Sequence, residues 1–204
     1  MASDARPHAP LIVVSGPSGV GKTTLVTRLL ARTSLPLRRA VTATSREPRP
    51  GERPEVDYHF WSRAAFEAAI AAGDMLEHAV VFGRDYYGTP RSEVEPFLAR
   101  GEGVIVVPDV QGAASLRAMF RGDLLSVFIE PPSFEELEDR LRRRNDVPEE
   151  SVRRRAAAAR GEVGRAHEFD HRIINQDLET ATRELEGVIL ARFPNPKGAT
   201  CSTT

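Results

Sequence analysis

The chain has 204 residues, of which 41% are hydrophobic and 28% charged, which is typical of a soluble globular protein with one α/β domain and small insertions. Its formal net charge is −1, so it has no global electrostatic attraction to nucleic acid or to an anionic membrane. No apolar run approaches the length of a membrane-spanning helix.

The cysteine content and the first residues predict a location. The single cysteine, Cys201, cannot form an internal disulfide, which favours a reducing compartment. The first ten residues are polar and rich in proline, without the apolar segment of a secretion signal. We therefore expect a cytoplasmic protein.

The first predicted elements frame a glycine-rich loop. An apolar run over 11–14 predicts a strand, and the periodic pattern over 22–32 predicts a helix. Between them lies the phosphate-binding pattern G-x-x-x-x-G-K-[ST], the P-loop, formed by Gly16, Pro17, Ser18, Gly19, Val20, Gly21, Lys22 and Thr23. Its backbone N–H groups and the helix N-terminus attract phosphate, Lys22 can reach the β- and γ-phosphates, and Thr23 can bind Mg²⁺. Together with Thr24 these residues predict an ATP site; the alternative is a glycine-rich turn that binds nothing.

Further along the chain, apolar runs alternate with amphipathic helical patterns, which predicts an α/β fold with a parallel sheet flanked by helices. The predicted core strands are 11–14, 37–41, 103–107, 124–129 and 171–174. The predicted helices are 22–32, 91–99, 111–120, 133–143, 148–165 and 177–192. Ser133 begins a Ser-x-x-Glu capping box at the start of one helix.

Two segments interrupt this alternation. Residues 42–90 combine several prolines with a helical pattern at 62–72 and a strand pattern at 75–82, which indicates a small mixed α+β insertion. Residues 139–160 form two arginine-rich helical stretches. The remaining parts are then a core over 10–41, 91–138 and 161–193, and tails over 1–9 and 194–204 that we expect to be disordered.

The insertion carries a candidate phosphate clamp. Arg46 and Arg49 lie three residues apart in a segment stiffened by proline and glycine, and two guanidinium groups can hold one phosphate. Downstream, the Tyr87 hydroxyl is a phosphate donor, and Glu77 can accept hydrogen bonds from a base. Taken alone, the segment is better explained as a solvated basic loop, because exposed charge is common, but beside a P-loop the clamp is the better interpretation.

At these residues the sequence resembles the guanylate kinase family, in register from about residue 10 to 192. The P-loop occurs in many nucleotide-binding proteins, whereas the Arg-x-x-Arg-x-Gly-Glu and Tyr-Gly-Thr elements are much more specific. Besides the P-loop, the matching elements are Thr44-x-Arg46-x-x-Arg49-x-Gly51-Glu52, Asp57-Tyr58-x-Phe60, Glu77, Tyr87-Gly88-Thr89, Asp109-x-Gln111-Gly112, Pro131-Pro132-Ser133, Arg140-Leu141-x-x-x-Arg144, Arg155 and Ile174-Asn175-x-Asp177-Leu178.

The resemblance implies a fold and a set of binding residues. The fold would be a three-layer P-loop NTPase core with a parallel sheet, a mixed α+β insertion that binds the nucleoside monophosphate, and a helical lid. Asn175 would belong to the ATP-binding set and Glu52 to the GMP-binding set. The GMP phosphate would be held by Arg46, Arg49, Tyr58 and Tyr87. The guanine would be surrounded by Thr42, Glu77, Thr89 and Asp109. Guanine offers N1–H and N2–H₂ donors on one edge to the Glu77 carboxylate, and adenine offers no equivalent pair.

The implied activity is phosphoryl transfer from Mg-ATP to GMP or dGMP. No general base is needed, because the attacking phosphate oxygen is already ionised near neutral pH. Lys22 would spread charge from the phosphates, and the lid arginines Arg140, Arg144 and Arg155 would close over the transferring group. The alternative for this lid is a solvated arginine face paired with nearby carboxylates. The expected partners are ATP and GMP or dGMP, without nucleic acid or membrane, in a monomer or homodimer.

Several positions depart from the family pattern, and three of them bear on the metal and on the acceptor loop. Val107 stands where an acidic residue is usual, and valine has no carboxylate to support the water shell of Mg²⁺. Support of the ion by the protein would then depend on Thr23 and Asp109. Pro108 removes a backbone donor at the strand end. Glu55 stands where a glycine is usual. These changes leave open a divergent paralogue that phosphorylates another small phosphorylated acceptor, as a ribosyl bisphosphate phosphokinase does. A guanylate-kinase-like binding module without activity is a further alternative, disfavoured by the complete P-loop.

Overall fold

The computed structural model describes residues 9–81, 83–120, 122–143 and 149–193. The predicted tails, apart from residue 9, lie outside the described residues, as does the predicted lid residue Arg144. The strands are β1 Leu11–Ser15, β2 Leu37–Arg39, β3 Ala43–Thr44, β4 His59–Phe60, β5 Met75–Val81, β6 Asp85–Pro90, β7 Gly103–Val106, β8 Leu124–Glu130 and β9 His171–Ile174. The α-helices are α1 Lys22–Arg32, α2 Arg63–Ala72, α3 Glu95–Ala99, α4 Val110–Phe120, α5 Phe134–Arg142, α6 Glu149–Gly164 and α7 Leu178–Arg192.

Five strands form a parallel sheet in the order β2-β7-β1-β8-β9. Leu11 of β1 pairs with Val104 on one side and with Leu124 on the other. Strand β1 is therefore central, and the loop that follows Ser15 opens at the middle of the carboxyl edge of the sheet. Ligands of open α/β sheets bind at this edge. The predicted α/β class with a parallel sheet is confirmed.

The core lies on both faces of this sheet because β1 is apolar at every position from 11 to 14. Ile12 and Val14 face one hydrophobic cluster, which includes residues of α1, α5, α6 and α7. Leu11 and Val13 face a second cluster, which includes residues of α4. All four side chains are 1% exposed or less. A continuous apolar run is what a parallel strand covered on both faces requires, and the result is the expected three-layer core.

A second sheet, in the order β4-β3-β6-β5, lies within residues 42–90. The sequence predicted only β5 of these strands, because β3 and β4 have two residues each and β6 contains glycine and proline. Antiparallel pairing places Thr44 opposite Tyr87, and Glu77 opposite Thr89. Two widely separated parts of the insertion thereby meet. The predicted boundaries between core, insertion and lid stay predictions.

The prediction of one helix over 91–99 is wrong. The structure has a 3₁₀ turn at Arg91–Glu93 and then the short helix α3. Val94 between them has φ −125° and ψ −61°, outside the α-helical region. Pro96 has no N–H to donate to the preceding turn, so a continuous α-helix cannot run through it.

The predicted start of α5 is confirmed, since the Ser133 hydroxyl accepts from the Glu136 N–H at 3.1 Å. Asp177 caps α7 in the same way, accepting from the Thr180 N–H at 2.8 Å. Both caps fix a helix that packs on the sheet face below the P-loop. Within the described parts of the chain, the helices are all too short or too polar to cross a membrane.

Candidate nucleotide-binding cleft

The P-loop is packed so closely that its glycines cannot carry side chains. Gly16 has φ 140°, and a Cβ there would lie 2.2 Å from the Ile129 carbonyl oxygen. Gly21 has φ 101°, and a Cβ there would lie 2.5 Å from Nδ2 of Asn175. No side chain of the described residues caps the N-terminus of α1 after Gly21. Because Gly21 has no side chain that could accept from them, the first N–H groups of α1 are suited to bind an external anion, as in other phosphate-binding loops.

Lys22 lies over this loop. Its Nζ donates to the carbonyl oxygens of Gly16 at 2.5 Å and Pro17 at 3.0 Å. The ammonium group is thereby held at the mouth of the loop, beside the N-terminus of α1. Thr23 and Thr24 line the same cleft one and two residues further on. A positive charge, two hydroxyls and a helix N-terminus thus converge on one space.

Asn175 and Arg140 support the loop from behind. Asn175 is 4% exposed and donates from Nδ2 to the Val20 carbonyl oxygen at 2.7 Å. Arg140 donates to the Asn175 carbonyl oxygen at 2.9 Å and to Glu136 at 2.7 Å. Neither side chain lines the cleft in this structure. Their positions indicate that they hold the shape of the P-loop.

The cleft itself has a volume of about 350 Å³ and lies between the P-loop, the second sheet and α6. The predicted site residues that line it are Gly16, Ser18, Gly19, Gly21, Lys22, Thr23, Thr24, Thr42, Arg49, Tyr58, Glu77, Tyr87, Asp109 and Arg155. The predicted site residues that do not line it are Pro17, Val20, Arg46, Glu52, Thr89, Arg140 and Asn175. Thus residues of the P-loop and residues of the 42–90 insertion line one cleft, while the seven residues just named do not contact it.

Arg46 is engaged within the protein. Its two Nη atoms donate to the two Glu52 carboxylate oxygens at 2.7 Å each, and Nη1 also donates to the Glu47 carbonyl oxygen. Its Nε donates to the Tyr87 hydroxyl at 2.9 Å, and its guanidinium lies 4.9 Å from the centre of the Tyr58 ring. Burial opposes the charge on Glu52, but the hydrogen bonds from Arg46 keep the pKa of this carboxyl below its usual value. The pair is therefore a neutral support for the two tyrosines.

Glu77 is a buried carboxylate inside the cleft. Its Oε1 accepts from the Thr89 hydroxyl at 2.7 Å, and only 5% of the residue is exposed. Burial raises the pKa of Glu77 to about 7; the Thr89 hydrogen bond opposes this rise and the charge of Asp109 adds to it. Gly112 makes room for the carboxylate, because a Cβ at that position would lie 2.2 Å from Oε2. A group held this way can recognise hydrogen-bond donors of a ligand.

Comparisons with known proteins agree with this geometry. A family model described as guanylate kinase matches residues 8–192. The chain is 48% identical to a guanylate kinase of Gluconobacter oxydans over 182 residues, which cover 88% of this chain and 86% of that one. The match to a guanylate kinase of Gloeobacter violaceus is 44% over 190 residues, covering 93% and 91%. The chain belongs to the guanylate kinase family.

A solved structure supports this membership. The guanylate kinase of Anaplasma phagocytophilum has a TM-score of 0.78 and 30% identity, and the match covers 94% of this chain and 89% of that one. The resemblance on the motifs is therefore confirmed, and so is the P-loop NTPase fold of the core. The roles of individual residues stay predictions.

Glu55, which departs from the guanylate kinase pattern, joins a chain of polar contacts. Glu55 has φ 63°, and among the described residues it is the one non-glycine position with positive φ. Its carboxylate lies 2.6 Å from Nδ1 of His59. Nε2 of His59 lies 3.1 Å from Glu93, whose other oxygen accepts from the Val41 N–H at 3.0 Å. This chain of contacts ties the loop around Tyr58 to Val41, which follows β2.

Helix α6 brings to the cleft one residue that the sequence did not reveal. Ala158 and Glu162 follow Arg155 by three and seven residues, so the three lie on one face of the helix, and all three line the cleft. Burial raises the pKa of Glu162, the charge of Lys22 lowers it, and the charge of Asp109 raises it. In the sequence, a glutamate in an arginine-rich helix is typical of an exposed, charged helix face and does not indicate a site residue. The spacing of seven residues from Arg155 is the signal that could have found it.

The oxygen ligands near the P-loop fit a magnesium ion that arrives with ATP. Among residues 9–193 as described, no cluster of three or more His, Cys, Asp and Glu side chains could hold a metal. Val107 lines the cleft where the family pattern has an acid, and Asp109 caps α4 by accepting from the Gly112 N–H at 2.8 Å. Mg²⁺ commonly takes one or two protein oxygens, several waters and substrate phosphates. The Thr23 hydroxyl suits that arrangement.

Proposed function

We propose that this chain transfers the γ-phosphoryl group of Mg-ATP to the phosphate of GMP, and also of dGMP, giving ADP and the nucleoside diphosphate. The observation that carries the proposal is the buried Glu77 carboxylate, which lies in the same cleft as the P-loop. A P-loop by itself indicates only a nucleoside triphosphate. The buried acceptor of hydrogen bonds opposite it indicates which base the second nucleotide carries.

Glu77 would select guanine through its hydrogen-bond donors. An ionised carboxylate accepts from N1–H and N2–H₂ together, and adenine would leave it without that pair. An unpaired buried carboxylate is unfavourable by about 1–3 kcal/mol or more, so discrimination against adenine should be strong. Thr89 orients the carboxylate from within the second sheet, while Thr42 and Asp109 line the same cleft.

On the donor side, the N–H groups of the P-loop would bind the ATP phosphates. The Lys22 ammonium group would exchange its hydrogen bonds to the carbonyl oxygens of Gly16 and Pro17 for hydrogen bonds to the β- and γ-phosphates. Thr23 would hold Mg²⁺, which, when bound, neutralises charge on the phosphates. Asn175 would act by keeping Val20 in place, because its amide lies behind the loop.

Transfer itself would require alignment and exclusion of water. The attacking oxygen of GMP carries a charge already, so the cleft needs no group that removes a proton. Arg155 on α6 lines the cleft and would neutralise the transferring group, while Arg49, Tyr58 and Tyr87 would hold the acceptor phosphate. Arg140 would contribute by supporting Asn175, and Arg144 stays a predicted member of the lid.

The location and assembly belong to the same proposal. We place the protein in the cytoplasm, as a monomer or homodimer that binds neither nucleic acid nor membrane. The single cysteine supports a reducing compartment, and the net charge of −1 supports a protein without a polyanionic partner.

A coupled assay tests the activity. Purified protein receives Mg-ATP with GMP, dGMP, AMP, CMP or UMP, and ADP formation is followed. We expect turnover with GMP and dGMP, and less than about a hundredth of that rate with AMP, from a loss of about 3 kcal/mol. Folded protein that turns over neither guanine nucleotide would refute the proposal. Lys22→Ala should lose activity by at least a factor of about 100 while the protein stays folded, since it removes charge stabilisation from the transition state.

A further inference from the structure

We propose that His59, as an imidazolium, is a positioning residue for the acceptor nucleotide: it fastens the loop that presents Tyr58 to the cleft, and GMP binding weakens when it loses its proton. The inference rests on the proposed function, in which Tyr58 holds the phosphate of GMP. His59 directly follows Tyr58 and begins β4, and its side chain is 14% exposed. It does not line the cleft, so it acts on the nucleotide through the residues that it holds.

The first step is that His59 lies between two carboxylates. Its Nδ1 is 2.6 Å from Oε2 of Glu55, and its Nε2 is 3.1 Å from Oε1 of Glu93. A neutral imidazole carries one N–H and donates to one of these oxygens, whereas an imidazolium donates to both. In a neutral ring the second nitrogen would direct its lone pair at an anion. The two contacts together therefore fit the charged form of His59.

The second step is that the rest of the protein holds the two carboxylates differently. Oε2 of Glu93 accepts from the Val41 N–H at 3.0 Å and from Nη2 of Arg38 at 2.8 Å. Burial opposes the charge on Glu93, but these hydrogen bonds and the one from His59 keep its pKa below the usual value. The Glu55 side chain is 71% exposed, so water can replace His59 as its partner. Glu93 is therefore the fixed anchor, and the contact with Glu55 is the one that a neutral ring loses.

The third step is that the Glu55 contact bears on the backbone that carries Tyr58. Glu55 has φ 63°, a left-handed conformation that favours glycine, the usual residue of the guanylate kinase pattern here. Its N–H donates to the Tyr58 carbonyl oxygen at 3.0 Å, which closes a turn over 55–58. Arg39 is a further charged group at this loop, and it donates to the Val56 carbonyl oxygen. Release of the Glu55 side chain would thus loosen the turn directly before the β4 strand.

The test measures GMP affinity by titration calorimetry at pH 6.0 and 8.5, because histidine changes its charge between these values in most proteins. The proteins are the wild type, His59→Gln, which cannot become a cation, and Glu55→Gln, which removes the loop carboxylate. GMP and Glu77 titrate in the same range, so each variant is compared with the wild type at the same pH. At pH 6.0 we expect each variant to bind GMP about 3 to 10 times more weakly than the wild type. At pH 8.5 the three should agree within about twofold.

Two further measurements distinguish positioning from packing. In protein with ¹⁵N-labelled histidine, the NMR shifts of the ring nitrogens show whether one or both carry a proton. We expect both nitrogens of His59 to be protonated in the GMP complex at pH 6.0. In steady-state kinetics at this pH, both variants should show a raised KM for GMP while kcat changes little.

His78→Gln is the matched control, since His78 is an exposed histidine of the same sheet that does not line the cleft. It should bind GMP like the wild type at both pH values. If His59→Gln weakens GMP binding equally at both pH values, His59 only packs the loop and the inference is wrong. A Glu55→Gln variant with wild-type affinity at pH 6.0, or a neutral His59 in the GMP complex, also overturns it. In each case wild-type turnover of GMP would show that the proposed function stands; a wild type that neither binds nor turns over GMP would remove both.

Discussion

Replacing Glu77 with glutamine should stabilise the protein at neutral and alkaline pH and strongly reduce its kcat/KM for GMP. Burial raises the pKa of Glu77 from an ordinary 4.5 to about 7. The folded state therefore keeps a proton that the unfolded state releases between these two pH values. In that window the free energy of unfolding falls as the pH rises. At about 1.4 kcal/mol for each pH unit, the loss by pH 8 amounts to about 3 kcal/mol.

Glutamine at this position stays neutral and escapes the loss, while its amide oxygen can still accept from Thr89. Urea unfolding of both proteins at pH 4.5, 6, 7 and 8 gives the difference in stability directly. We expect the variant to gain about 3 kcal/mol relative to the wild type between pH 4.5 and 8. Glu150→Gln, at an exposed position of α6, should show no such gain.

The same ionisation should govern the acceptor. Because only the ionised carboxylate accepts twice, kcat/KM for GMP should rise as the pH passes through about 7 in the wild type. The Glu77→Gln variant should lose a factor of about 100 or more in kcat/KM for GMP, since its amide N–H₂ faces donors of the base. A stability difference that stays constant from pH 4.5 to 8 would refute the reasoning about burial, whatever the activity shows.

Three further predictions concern single contacts. Gly112→Ala should displace the Glu77 carboxylate, because the new Cβ would lie 2.2 Å from Oε2. In steady-state assays KM for GMP should rise by a factor of about 10 to 100, while KM for ATP stays unchanged. Glu162→Gln removes a negative charge that faces Lys22, so calorimetry without Mg²⁺ should show ATP binding about 1 kcal/mol tighter; weaker binding would contradict this. Ser133→Ala removes the cap of α5 and should lower the free energy of unfolding by about 1 kcal/mol in urea, with activity retained.

The parts of the structure that the sequence predicts are those that a local pattern decides. The apolar run from Leu11 and the spacing of the glycines after Ser15 predict β1 and the P-loop, because both depend on neighbouring residues. The second sheet escaped prediction for the opposite reason. Strand β3 has two residues, and it is a strand only because Thr44 meets Tyr87, which lies far along the chain.

The candidate site shows the same division. The sequence could not distinguish Arg46 from Arg49, since the difference depends on which guanidinium meets Glu52 in space. The family resemblance places Asn175 among the ATP-binding residues, whereas in the structure the Asn175 amide supports the P-loop from behind.

The hydrogen bond between Asn175 and Val20 joins residues that are 155 positions apart in the sequence, so it cannot form until most of the chain has been synthesised. The phosphate-binding loop leaves the ribosome early, whereas the amide that holds it is made near the end of the chain. At about 5–20 residues per second, roughly 8 to 30 s pass between the synthesis of the loop and that of Asn175. A nascent chain whose residue 175 has not yet left the ribosome therefore carries the complete motif without the amide that supports it. Competence for nucleotide binding should appear abruptly, late in translation, when the last strand docks.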